Sequence, residues 1–165
     1  HSAPDQALVS LAADQLGFVA EPGESIQNVT VSALNPPGMP GQVPFALARY
    51  SRRGPGLRGA TKPDFAHVGG SGTATPTGDH GLVSVNEDGF LVSGCGTSYA
   101  APLVARRLAD LDALIDGNVS RETLLALMVH FAYTPGVFGQ KAILPVTRDL
   151  IGFGVPITAE KMLHE

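Results

Sequence analysis

The chain has 165 residues, of which 44% are hydrophobic and 16% charged, with 20 glycines, 13 prolines and a formal net charge of −4 at pH 7. This size and composition favour one loop-rich α/β domain over a helical bundle or a disordered chain. The mild negative charge, without a basic stripe, argues against nucleic acid and membrane surfaces as partners, and a single cysteine excludes an internal disulfide and a cysteine-rich zinc site.

The first half of the chain alternates short apolar runs with turn residues. Residues 5–16 carry a helical pattern and predict a short helix. Residues 28–34 are β-branched and apolar and run into Asn-Pro-Pro-Gly, which predicts a buried strand ending in a turn. Weaker patterns at 45–51 and 65–70 predict two further strands.

The second half changes from a strand pattern to a helical one. Two alternating runs flank Glu-Asp-Gly at 87–89 and predict a β-hairpin, because Asp-Gly is a favoured hairpin turn. From Ser98 onward, apolar residues recur at helical spacing until Gly117 ends the run. Ser120 then caps a second predicted helix over 121–132.

A glycine-rich turn runs directly into the first of these helices, as Gly-Cys-Gly-Thr-Ser-Tyr-Ala-Ala-Pro at 94–102. A serine at such a helix start has an exposed hydroxyl beside backbone N–H groups that the helix leaves unpaired. In acyl transfer, this arrangement supplies both a nucleophile and a donor to the oxyanion that the attack creates. Ser98 is therefore a candidate nucleophile, and the alternative is that it is simply a helix cap.

The same turn resembles a known family signature. Residues 96–102 are similar to the Gly-Thr-Ser-x-Ala-x-Pro sequence around the nucleophilic serine of the subtilisin-like serine proteases, the subtilases. Three earlier segments resemble, in the family's order, its Asn-Val-x-x-Val-Gly-Ala strand, its Phe-Ser-Ser-Arg-Gly-Pro loop and its Lys-Pro-Asp segment: residues 28–35, 50–56 and 62–70. Two later segments are similar to the helix that follows the serine helix and to the Gly-Tyr-Gly closing segment: residues 124–132 and 151–156. The resemblance covers about residues 28–156.

This resemblance implies that residues 1–165 are the C-terminal half of a subtilase peptidase domain, an α/β, three-layer fold with a mostly parallel sheet. It implies a serine endopeptidase acting on a protein or peptide, with Ser98 as nucleophile of a Ser/His/Asp triad and Gly96 and Thr97 beside it. No metal or other cofactor is expected, apart from the calcium that some subtilases carry.

The family's Asp and His motifs are missing upstream of Ser98, and none of the five histidines has the Gly-Thr neighbours of the family's base. The asparagine that helps to hold the oxyanion in subtilases has its nearest match at residues 12–15, which makes Gln15 the candidate donor. The chain alone is therefore expected to be nearly inert. It is predicted to bind its missing N-terminal half or to self-associate through an exposed sheet edge. The alternative is a non-catalytic, subtilase-like binding module in which Ser98 is a cap.

Three smaller features complete the sequence-based predictions. Cys95 is predicted to be a small buried thiol and not a second nucleophile. Asp64 is predicted to be a loop or structural carboxylate and not a catalytic one. No apolar run approaches the roughly 20 residues of a membrane span and no signal-peptide pattern opens the chain, which leaves a cytoplasmic or a secreted location open.

Overall fold

The computed structural model describes residues 17–164, so the predicted helix over 5–16 and the candidate donor Gln15 lie outside the described residues. The strands, in chain order, are β1 (Val31–Leu34), β2 (Phe65–Val68), β3 (Val83–Val85) and β4 (Leu91–Ser93). The helices are α1 (Thr97–Leu114), α2 (Arg121–His130), α3 (Thr147–Ile151) and α4 (Ala159–His164). Short 3-10 turns lie at Leu57–Gly59, Gly136–Gly139 and Leu144–Val146. The chain is thus a mixed helix and strand structure with small sheets, compatible with the α/β class.

The strands form two pairs. β1 and β2 are parallel, with Val31 opposite Phe65 and Leu34 opposite Val68. β3 and β4 are antiparallel and are joined across the predicted Asp-Gly turn. The predicted strands around β1 and β2 and the predicted hairpin are therefore confirmed, with shorter bounds.

Residues 45–51 do not form the predicted strand. Phe45 has a φ of 59°, in the left-handed region that strands do not use. The amide of Ala46 bonds a carbonyl three residues earlier, as in a turn. One isolated antiparallel bridge, between Leu34 and Leu47, is the strand-like pairing that this segment makes. The weak alternation of the sequence was misleading because turns at both ends, which the Ala46 and Ser51 N–H groups close, keep the segment from extending as a strand, although Ala48 still donates to the Ala33 carbonyl of β1.

The predicted helix at Ser98 is confirmed as α1, which begins one residue earlier, at Thr97. Pro102 is the sixth residue of this helix and lies inside it, beyond the first turn, so it removes an N–H that could otherwise have bonded the Ser98 carbonyl. The helix packs across β1 and β2 and against α2 and α4. Its buried face contributes to an apolar cluster whose fully buried members include Phe65, Val104, Leu111 and Met128.

The β1–β2 sheet is covered on both faces, as parallel strands normally are. Phe65 packs with α1 and α2 on one face. The next residue, Ala66, packs with Leu34, Phe138 and Leu150 on the other. Consecutive residues of β2 thus pack into different clusters on opposite faces of the sheet. This packing fixes the position of the start of α1 beside the sheet.

The predicted second helix is confirmed as α2 together with its cap. The Ser120 hydroxyl accepts a hydrogen bond from the Thr123 N–H at 3.2 Å. The helix ends at His130, two residues before the predicted end at residue 132.

Candidate functional site

Ser98 lies exposed in the first turn of α1. The N-cap of this helix is Gly96, which has a φ of +157° and no side chain to donate or accept. The Ser98 hydroxyl makes no hydrogen bond within residues 17–164. The structure therefore gives Ser98 no capping role and leaves its hydroxyl open to solvent.

Two glycine segments in direct contact hold the turn before Ser98. Gly96 donates its N–H to the Gly69 carbonyl at 2.9 Å. Gly70 has a φ of +86°, and a Cβ on it would lie 2.6 Å from the Gly94 oxygen and 2.9 Å from the Cys95 Cα. The segment that follows β2 thus touches the backbone that leads into α1, and only glycines permit this approach.

Tyr50 links these two segments through hydrogen bonds. Its hydroxyl oxygen lies 2.6 Å from the Gly69 carbonyl and 2.8 Å from the Gly70 carbonyl, and it accepts the Gly96 N–H at 3.0 Å. Burial raises the pKa of Tyr50 to about 12; nearby Cys95 acts in the same direction and the Gly96 hydrogen bond opposes it. The hydroxyl therefore stays protonated at neutral pH and donates to either carbonyl. The sequence analysis assigned no role to Tyr50. The feature that could have indicated one is the position of this aromatic residue directly before the Ser-Arg-Arg-Gly-Pro loop.

Two grooves open beside the helix start. One, of about 460 Å³, lies between Thr97, Ser98 and the loop from Pro22 to Thr30. The other, of about 450 Å³, follows α1 from Ser98 and is mainly apolar, with a lining that includes Val29, Val31, Leu108, Leu125 and Met128. Ser98 lines both grooves, so its hydroxyl is accessible from each of them.

Residues 17–164 contain four histidines, of which His164 is exposed on α4. His80 has its Nδ1 2.6 Å from the Ser71 carbonyl. His130 is exposed at the end of α2, with its ring 4.7 Å from that of the next residue. His67 lines a separate cavity beside α1. Within residues 17–164, no histidine is hydrogen-bonded to Ser98, so the described part of the chain brings no general base to the hydroxyl.

Asp64, predicted to be structural, forms an ion pair with a lysine that is only 2% exposed: Lys62 Nζ lies 2.7 Å from Asp64 Oδ2. The same ammonium donates to the Asn28 carbonyl at 2.6 Å, and the Thr30 N–H donates to Asp64 Oδ2 at 2.7 Å. This network ties the start of β2 to the segment that enters β1. It stabilises the sheet beside which Ser98 lies.

The remaining features concern Cys95, metal binding and membrane-spanning helices. Cys95 is a free thiol, and it is half-buried where the sequence analysis predicted a buried one. Residues 17–164 contain no group of three or more His, Cys, Asp or Glu side chains placed to hold a metal ion. None of the helices in this part of the chain has the length and apolar character to cross a bilayer.

Substituting Ser98 by Ala is expected to change the free energy of unfolding by no more than about 0.5 kcal/mol, because the hydroxyl makes no folding contact. Ser120→Ala is the matched control, since it removes a true cap, and is expected to cost about 0.5–2 kcal/mol. Urea denaturation measures both. A loss above about 1.5 kcal/mol for Ser98→Ala, equal to that of a cap, would contradict the free hydroxyl.

The chain is similar to known proteins over most of its length. The model of the subtilase family matches residues 12–154, which is most of the chain. Among curated proteins, the uncharacterized protein y4bN of Sinorhizobium fredii (strain NBRC 101917 / NGR234) is 33% identical over 101 residues. The similarity covers 52% of this chain and 23% of y4bN. The chain thus aligns with about a quarter of the length of this relative.

Proposed function

Because the chain belongs to the subtilase family, a family of serine peptidases, we propose that Ser98 is the nucleophile of a serine endopeptidase in the complete protein. One observation carries the proposal. Ser98 has an exposed hydroxyl without a hydrogen bond, at a helix start that two glycine segments and Tyr50 hold in place. A nucleophile needs this combination of a free side chain and a fixed backbone.

In the proposed reaction, Ser98 Oγ attacks the scissile carbonyl while its proton passes to a histidine base, which an aspartate orients. The tetrahedral oxyanion is stabilised by the Ser98 N–H, one of the first helical N–H groups that have no partner within the helix. Gly96 and Thr97 lie beside this position, and Gln15 is the proposed side-chain donor. The histidine then gives its proton to the leaving amine, and water hydrolyses the acyl-enzyme.

The base and its aspartate are proposed to come from polypeptide outside residues 17–164, in the missing half of a three-layer subtilase domain. Two apolar surfaces support this. The groove along α1 beside Ser98 is lined mainly by aliphatic side chains. The β3–β4 hairpin exposes Val83, Val85, Phe90 and Leu91, each by more than 60%. Contiguous apolar surface of this kind normally packs against a partner, which we propose to be the N-terminal half.

A fluorophosphonate probe tests the proposal, since it reacts with an activated serine only. We expect no labelling of the chain alone, and one label per molecule on Ser98 when the upstream half of the protein is present. Ser98→Ala in that complete protein is the control and should abolish the label. Stoichiometric labelling of the chain alone would contradict the missing base. An unlabelled complete protein would instead favour the non-catalytic binding module.

A further inference from the structure

A cavity of about 270 Å³, separate from the two grooves at Ser98, lies where β2, α1 and α4 meet. Three basic side chains line it: His67 from β2, Arg107 from α1 and Lys161 from α4. Arg107 lies nine residues beyond Ser98 on the same helix, about 13 Å along its axis. The rest of the lining is largely aliphatic and aromatic.

Two of these basic side chains have a buried nitrogen without a hydrogen-bond partner within residues 17–164. His67 Nδ1 and Arg107 Nε are buried and make no hydrogen bond there. Lys161 forms neither an ion pair nor a hydrogen bond with a described residue. Buried polar atoms of native proteins are nearly always paired, so two unpaired buried nitrogens at one cavity, which an exposed lysine also lines, indicate an absent ligand.

The described side chains that line the cavity include three basic residues and no acidic one. The pKa of His67 is lowered by burial and, secondly, by the positive charge of Arg107, while the Val68 backbone acts in the opposite direction. Glu160, which interacts electrostatically with Arg107, is fully exposed and does not line the cavity. The carboxylate that interacts with Arg107 therefore lies outside the cavity, and no described acidic side chain lines it.

We propose that this cavity binds a small organic anion, with its carboxylate or phosphate held by Arg107 and Lys161 and a short apolar body against Leu34, Val155 and Ile157. A guanidinium presents parallel N–H donors that match the two oxygens of either group, and an ammonium adds a second charge. The volume lies just below the roughly 300–1,000 Å³ typical of small-molecule pockets, which restricts the ligand to a few non-hydrogen atoms beyond its anionic group. This site is independent of the proposed peptidase chemistry at Ser98.

Hexanoate and monobutyl phosphate are suitable probes, because each joins an anionic group to a short alkyl chain. We expect at least one to bind the chain saturably by calorimetry. We also expect it to shift the ring resonances of His67 in NMR spectra and to raise the pKa of this histidine, since a neighbouring anion favours the imidazolium. Hexanol, which has the alkyl chain without the charge, should not bind measurably.

Arg107→Gln and Lys161→Met should each weaken binding by about tenfold or more, because each removes a charge-assisted hydrogen bond. Arg106→Gln is the matched control. Arg106 is exposed, pairs with Asp110 at 3.4 Å and does not line the cavity, so binding should stay within about twofold. Failure of both probes to bind, equal binding of hexanol, or an equal loss in Arg106→Gln would overturn the proposal. Arg107 and Lys161 lie on different helices. If one of the two variants fails to fold, the other still tests whether the cavity binds the probes.

Discussion

Gly70→Ala is expected to lower the free energy of unfolding by more than about 3 kcal/mol, the largest effect of any substitution near Ser98. Two costs add. The φ of +86° penalises any residue with a Cβ by about 1–2 kcal/mol. The new methyl group would also lie 2.6 Å from the Gly94 oxygen and 2.9 Å from the Cys95 Cα. Both are backbone atoms, which cannot rotate aside, so the strand end or the turn before Ser98 must move.

Gly78→Ala separates these two costs. Gly78 has almost the same φ, +82°, but a Cβ on it would meet nothing within 4 Å. Only the conformational penalty applies, and we expect a loss of about 1–2 kcal/mol. Urea denaturation of the two variants measures the difference. Equal losses would mean that the contact between the two glycine segments does not constrain the turn.

Asp64→Asn is expected to cost about 2–4 kcal/mol, because it leaves the Lys62 ammonium buried without a counter-charge. The estimate lies below that for a wholly buried pair, since Asp64 is 24% exposed and water screens part of the interaction. The double variant Lys62→Met/Asp64→Asn should recover a large part of the loss, because no unpaired charge remains.

The exposed pair of Arg106 and Asp110 is the control for this experiment. Its atoms are 3.4 Å apart and Arg106 is 74% exposed, so Asp110→Asn should cost no more than about 0.5 kcal/mol. Thermal or urea denaturation of these three variants and the parent chain measures the comparison. A loss for Asp64→Asn as small as that for Asp110→Asn would contradict the structural role of the buried pair.

The sequence by itself determined the features that depend on neighbouring residues. The apolar spacing after Ser98 predicted α1, Ser120 predicted the cap of α2, and the Asp-Gly turn predicted the β3–β4 hairpin. Each of these signals concerns contacts within a few residues of the chain, where the amino-acid type limits the backbone directly. The Gly-Thr-Ser signature likewise made Ser98 the candidate nucleophile. The family match over residues 12–154 supports reading this signature as a subtilase motif.

The tertiary structure alone decided the features that join distant segments. Residues 45–51 had a weak strand pattern, yet they form turns, and Tyr50 within them bonds Gly96, which is 46 residues away. Lys62 reaches the Asn28 carbonyl across 34 residues. The anion cavity combines side chains of β2, α1 and α4. No local pattern encodes such contacts, because they arise only when packing brings the elements together and buried polar groups must find partners.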